Sequence, residues 1–369
     1  MESAATERRI GEPDPNIEHK ERKRKRIALA VTLALAVPSI LYFGFRGTYE
    51  RWQDDRSLSD ACRGSIESSQ LSQLLGTDSI QAEDVSPGGT PEFKSGTLHR
   101  CTASADNGNS LHVSLDWNEN PDGGVGELRD GPFGQDPGPV SPIGHGWRGV
   151  VTGAKGRGAA LVVMNCSNKT RHASLLVTLD GTFNAASSAQ KSRLGFTAVH
   201  TAERAAKAWD CEADPGQDQV NDIPGDDSMK PDPPGKPKGT CRGINTSTIG
   251  SRADENAPIE DCFIQSKDGF GTQYIMSAYY PPFGKAYPLY NIDYSDPKEG
   301  SDKTYWGSAE CPNGERARYV IGKRSHYRGR DTDGSETFSG DADQGKKQAL
   351  KEFATQSAAR HGCTNFTLR

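Results

Sequence analysis

Eight cysteines, at positions 62, 101, 166, 211, 241, 262, 311 and 363, constrain this 369-residue chain more than any other feature. They fall into two sets of four with matching neighbours. Cys62-Arg63-Gly64 opens the first set and Cys241-Arg242-Gly243 the second. Cys101 begins CTASADNG and Cys262 begins CFIQSKDG, each with a glycine seven residues on, Gly108 and Gly269. Asn-Gly and Asp-Gly next to apolar runs are hairpin signals. Leu111, Val113 and Leu115 alternate after the first turn, and Tyr274, Ile275, Met276 and Ala278 follow the second. Cys166 and Cys311 each have an asparagine two residues later, Asn168 and Asn313, and then the strand-like ASLLVTL and RARYVIG. The last pair closes helical stripes: Val199, Ala202, Ala206 and Trp209 before Cys211, and Leu350, Phe353, Ala354, Ser357 and Ala358 before Cys363. Ser339 or Asp341 supplies the N-cap of the second helix, and His361-Gly362 ends it.

Four cysteines in the same order with similar surroundings point to a tandem duplication on a shared disulfide scaffold. The even count reads as four bridges in an oxidising compartment. Four cysteines per copy admit three pairings, which spacing does not choose between. First with second and third with fourth is preferred, because the latter staples the C-terminal helix to the sheet. That gives Cys62–Cys101, Cys166–Cys211, Cys241–Cys262 and Cys311–Cys363, each contributing about 3 kcal/mol. With all eight placed, none is left as a nucleophile. No C-x-x-C or H-x-x-x-H spacing occurs, which disfavours zinc.

Residues 27–45, IALAVTLALAVPSILYFGF, carry no charge and as a helix would reach about 28 Å, enough for a bilayer core. Lys20 and Arg22 to Arg26 precede them, and Tyr42, Phe43, Phe45, Tyr49 and Trp52 stand at the far boundary. The basic cluster favours a cytoplasmic N-terminus and the aromatics an interface. Ala34 and Ala36 offer a signal-peptide alternative, but cleavage there leaves only about seven apolar residues, so an anchor is preferred.

The expected fold is α+β: an N-terminal transmembrane helix followed by two tandem, related small domains, each an antiparallel sheet with a C-terminal helix and two disulfides. The segments are a basic tail at 1–26, the span at 27–45, a juxtamembrane stretch at 46–57, domain 1 at 58–213, a Pro/Asp/Gly-rich linker at 214–239 and domain 2 at 240–369. The linker's prolines should keep it extended and the domains apart. Residues 118–146, rich in Gly, Pro and Asp, read as a long exposed loop. The chain is net −5, and its tail is net basic, so the remainder is more acidic still. This argues against nucleic acid as a partner.

Familiar catalytic signatures are missing: no G-x-S-x-G, H-E-x-x-H, G-x-x-x-x-G-K-[ST], or G-x-G-x-x-G after a strand. His99, His112, His145, His172, His200, His326 and His361 read mostly as surface residues. Three clusters carry two readings each. Asp331, Asp333, Glu336, Asp341 and Asp343 could bind calcium, but the EF-hand glycine and terminal glutamate are missing, and a solvated acidic turn is preferred. Arg316, Arg318, Lys323, Arg324, Arg328 and Arg330, among Tyr319, His326 and Tyr327, could touch anionic polymer. A charge-defended edge strand is preferred. AYYPPFGKAYPLY at 278–290 suits either carbohydrate or protein recognition, or the core of a domain short of aliphatics.

The basic tail, lone span, polar exterior and paired cysteines together resemble the uncharacterised single-pass envelope proteins common in high-GC actinobacteria. The resemblance is one of layout along the whole chain and implies no catalytic residue. The functional expectation is a membrane-anchored extracytoplasmic protein, N-terminus inside and C-terminal domains outside. It acts as a non-enzymatic binding or interaction module of the cell envelope, with an envelope protein or wall component as partner and no cofactor. The alternative is an extracytoplasmic hydrolase, which needs a pocket with convergent polar residues and a perturbed pKa. Non-reducing peptide mapping should recover the four linkages named above; a Cys62–Cys166 peptide would contradict them.

Overall fold

The computed structural model describes residues 57, 61–85, 96–118, 125, 128, 138–170, 173–267, 271–285, 304–324, 337–338 and 341–368. The first half opens on a tight turn at Ala61–Gly64 and a short helix, α1 (Ser68–Leu75), that buries Leu71, Leu74 and Leu75. Seven strands follow: β1 (Ile80–Asp84), β2 (Thr97–Ala105), β3 (Ser110–Trp117), β4 (Ser141–Gly144), β5 (Trp147–Ala154), β6 (Arg157–Asn165) and β7 (Ser174–Thr182). They form one antiparallel sheet in the order β1-β2-β3-β7-β6-β5-β4. Helix α2 (Ser188–Ala208) starts at Ser187, whose hydroxyl accepts the Gln190 N–H, and turns Leu194, Ala198, Val199, Ala202 and Ala205 inward.

The second half repeats this plan. Strands β8 (Thr248–Gly250), β9 (Ile259–Gln265), β10 (Thr272–Tyr279), β11 (Tyr305–Glu310), β12 (Arg316–Lys323) and β13 (Thr364–Leu368) lie in the order β13-β11-β12-β10-β9-β8. Helix α3 (Ala342–Arg360) is capped by Asp341, whose carboxylate accepts the N–H groups of Asp343 and Gln344. The first sheet's β1-β2-β3-β7-β6 therefore matches β8-β9-β10-β12-β11. The registers match too. In the first sheet Cys101 faces Val113, Val113 faces Leu179 and Leu179 faces Ala160. In the second, Cys262 faces Met276, Met276 faces Ile321 and Ile321 faces Tyr305. Cys166 and Cys311 each stand six residues past the end of that row. A one-residue slip would exchange the two faces of a strand, so this agreement ties the two sheets to one pattern.

Disulfides close each half: Cys62–Cys101 and Cys166–Cys211, then Cys241–Cys262 and Cys311–Cys363. The first of each pair pins the opening turn to the sheet, and the second joins the end of a strand to the end of the long helix.

Several expectations need correction. The two copies are not separate small domains, because residues 54–369 form one compact unit. Each sheet has a helix on one face and the other sheet on its opposite face. Strand β6 shows how: Ala160, Val162 and Met164 join the helix-side core, whereas Ala159, Leu161 and Val163 join a core between the sheets. Ile259, Phe263, Ile275, Tyr279 and Val320 come to that core from the second sheet. Strands covered on both faces read as unbroken apolar runs, and GAALVVM and YIMSAY are such runs.

The expected linker is docked. The Trp147 indole N–H donates to the Gln217 carbonyl at 2.7 Å, Asn221 N–H donates to Ile143 O at 2.9 Å, and Ile223 is buried. A Cβ at Gly216 would lie 2.6 Å from the Trp147 ring, so only glycine lets the chain pass there. Residues 118–146 do not form one exposed loop: they include β4, and Val125, Leu128 and Val140 sit in the inter-sheet core. β12 lies between β10 and β11 and is no edge strand. The chain ends on β13 instead of on a helix.

The N-terminal transmembrane helix is likewise not part of the described fold. No helix among the described residues is long and apolar enough to cross a membrane. The long helices α2 and α3 carry Lys, Arg and Glu, including the buried Lys191 and Lys346, and pack apolar residues against the sheets. The tail, span and juxtamembrane stretch at 1–56 lie outside the described residues.

Phe263→Ala should cost about 3–5 kcal/mol by opening a cavity between the sheets. Because both sheets share that core, urea unfolding under non-reducing conditions should show a single transition. Two separated transitions would mean that the halves stand independently.

Candidate functional site

Position 260 lies two residues before the cysteine of β9 and points to the end of α3. Glu260 is 1% exposed and accepts four side-chain groups: Arg360 Nε at 2.9 Å and Nη2 at 2.8 Å, Ser357 Oγ at 2.6 Å and His361 Nε2 at 3.3 Å. Burial alone would raise its pKa. The hydrogen bonds from His361 and Arg360 and the charge of Arg360 outweigh burial and hold it at about 2. Burial opposes the Arg360 charge, but Glu260 raises its pKa overall. The Tyr280 ring stacks on His361, with centroids 3.5 Å apart and planes at 18°. The Tyr280 hydroxyl meets Ser357 and lies 3.4 Å from that of Tyr319. Burial drives the Tyr280 pKa well above its ordinary value and that of Tyr319 up to about 12.

In the first half, the positions two residues before Cys101 and Cys211 hold His99 and Trp209 in place of Glu260 and His361. Their rings stand 6.1 Å apart, with the Arg63 guanidinium over Trp209 and an Asp84 carboxylate oxygen 2.8 Å from His99 Nε2. The duplicated scaffold thus carries a buried arginine–carboxylate pair at one corner and an aromatic cluster at the other. Cys62, Asp84 and Cys101 lie close enough together to suggest a metal site. Both sulfurs are bound to each other there, so no thiolate remains to ligate.

Tyr280 and His361 form part of the wall of a cavity of about 480 Å³ between the two halves. Asn118, Arg148, Asn165 and Ser174 reach it from the first half, and Glu255, Pro281, Pro282, Cys311, Pro312 and Glu315 from the second. Arg148, on β5, is half-buried. One terminal nitrogen donates to Asn165 Oδ1 at 2.6 Å and the other to the Pro281 carbonyl at 2.7 Å. Ser174 Oγ also donates to Asn165 Oδ1, at 3.0 Å, which holds that oxygen toward the guanidinium. Both acceptors are neutral, and no carboxylate among the described residues lies within ion-pair distance of Arg148. Burial lowers its pKa, while the field of Glu315 raises it. A guanidinium has five N–H groups, so three of them remain for a ligand.

The sequence-derived clusters are dispersed. Asp341 caps α3, and Asp343 pairs with buried Lys346 at 3.2 Å, while Asp331, Asp333 and Glu336 lie outside the described residues. Arg316 pairs with Glu310 at 3.2 Å and Arg318 covers the Trp306 ring, with Tyr319 buried beneath the sheet. Lys323 ends β12 and Arg324 follows it. His326, Tyr327, Arg328 and Arg330 are outside the described residues. Of the aromatic run, Tyr279 and Phe283 fill the inter-sheet core and Tyr280 the site. His361 is not a surface residue: its side chain is 7% exposed. Arg148, Glu260 and Arg360 drew no attention in the sequence. Glu260-Asp261 inside the apolar strand IEDCFI was the available signal, since adjacent carboxylates there must be paired.

No family model and no curated protein matches this chain. A solved structure that matches, the crystal structure of DynU16 from the dynemicin biosynthetic locus, shares 11% identity over 83% of this chain and 91% of its own. Its TM-score of 0.14 is too low for the likeness to carry an argument about fold or function.

Glu260→Gln should destabilise the protein by about 3 kcal/mol at neutral pH, the amount by which a fall in pKa from 4.5 to about 2 favours the folded state. A depressed carboxylate pKa stabilises above the unfolded value. This contribution should fade in wild type as pH falls from about 4.5 through about 2, and the variant should lack that part of the acid dependence. Urea unfolding across this range tests it.

Proposed function

We propose that this chain is a non-enzymatic binding module working in an oxidising compartment outside the cytoplasm, and that the cleft between its halves holds a small ligand by an anionic group at Arg148. The observation that carries this reading is a half-buried guanidinium at a cavity wall with only neutral acceptors and spare donors. Keeping a cation from bulk water with no carboxylate in contact is costly, and an anionic ligand would offset that cost. Four disulfides with no free cysteine support the compartment. A component of the cell envelope is the proposed source of the ligand.

The hydrolase alternative has less support. General acid–base work needs a group whose pKa lies near the working pH. Around this cavity the strongest shifts lock groups in one state: Glu260 stays ionised, and Tyr280 and Tyr319 stay protonated. Ser357 donates to Glu260, whose pKa of about 2 makes it a weak base, and Ser174 donates to the neutral Asn165 amide oxygen.

Titrating the purified full-length chain with sodium acetate should shift the Arg148 Nε–H resonance. Arg148→Met should abolish saturable binding while keeping the wild-type circular dichroism spectrum. An unmoved Arg148 resonance would remove the anion-site reading.

A further inference from the structure

The cavity's charges say more about the ligand than Arg148 does alone. The second half brings Glu255 and Glu315 to the same cavity, on the loop before β9 and just ahead of β12. Among the described residues neither side chain has a hydrogen bond or an ion pair, and both are exposed. Glu315 acts on Arg148 through space without contact. One cationic fork therefore shares the wall of a polar cavity with two exposed carboxylates, with proline and tyrosine around them.

This arrangement discriminates among ligand charges. A simple anion reaching Arg148 also meets the negative field of Glu255 and Glu315. A simple cation meets Arg148. A molecule carrying both signs satisfies both kinds of charge. We infer that the cleft takes a zwitterion, a free amino acid or a short peptide with free ends, whose carboxylate meets Arg148 and whose ammonium group faces Glu255 and Glu315. This rests on the anion-site reading and narrows it. A volume of about 480 Å³ leaves room for either source and lies within the usual range for small-molecule sites.

Calorimetric titration of the purified full-length chain tests this with five probes: alanine, alanylalanine, its C-terminal amide, its N-acetyl derivative, and propionate. Alanine or alanylalanine should bind, the better of the two identifying the source. The amide and the N-acetyl derivative should bind at least about tenfold more weakly than the free dipeptide or not at all. Glu255→Gln combined with Glu315→Gln, both at exposed positions that the fold does not depend on, should weaken the zwitterion about tenfold and leave propionate unchanged or tighter. Arg148→Met should lose both. If the N-acetyl derivative and propionate bind as well as the free dipeptide, the zwitterion inference is overturned and the anion site stands. If no probe binds the wild-type chain, both readings fall.

Discussion

The core between the two sheets is the constraint on which the rest of the molecule depends. Each half could close its own helix-side core, as the clusters around α2 and α3 show. The opposite faces of β5, β6, β7, β9, β10 and β12 are apolar as well, and leaving them in water would forfeit about 25 cal/mol for every Å² they cover. Stacking the sheets removes that surface and produces four layers, helix, sheet, sheet and helix. It also creates the cleft, because a wall from each half is needed to enclose it. Arg148 on β5 reaches the Pro281 carbonyl only because the two halves are pressed together.

Duplication explains the economy of this design. The transverse row Cys101, Val113, Leu179, Ala160 and its counterpart Cys262, Met276, Ile321, Tyr305 show that register survived where residue identity did not. Disulfides hold the equivalent corners in both halves. Against that fixed frame the substitutions at individual corner positions stand out. Glu260 and His361 replace the aromatic contact of His99 with Trp209, and the second half gains a buried ionic cluster directly behind the cleft. Ion pairs of this kind contribute little net stability compared with apolar packing. Their value here is positional: Glu260 fixes His361, His361 stacks on Tyr280, and Tyr280 forms the cavity wall.

Much of the local structure was legible in the residues. The hairpins at 97–117 and 259–279, the strands over ASLLVTL and RARYVIG, and the two long helices with their apolar stripes follow from period and turn chemistry, which act over a few residues. Cysteine order was equally legible, since it needs only position. The linker was misread because composition reports the average cost of ordering a segment and says nothing of one docking surface. Gly216 against Trp147 and Asn221 against Ile143 dock a segment whose acidic and proline-rich make-up suggested an extended spacer. The transmembrane helix was inferred from hydropathy, the flanking basic cluster and the boundary aromatics, and among the described residues no helix is long and apolar enough to cross a membrane.

By itself, then, the sequence determined the repeated scaffold of strands, helices and bridges, because those depend on local periodicity and on chemistry carried by single residue types. Tertiary structure alone decided the site. Arg148 and Pro281 are 133 residues apart, and Glu260 and Arg360 are 100 apart. No local rule links such positions. Arg148 meets Pro281 because two apolar sheet faces had only each other to bury against, and Glu260 meets Arg360 because α3 packs back over the other face of its own sheet.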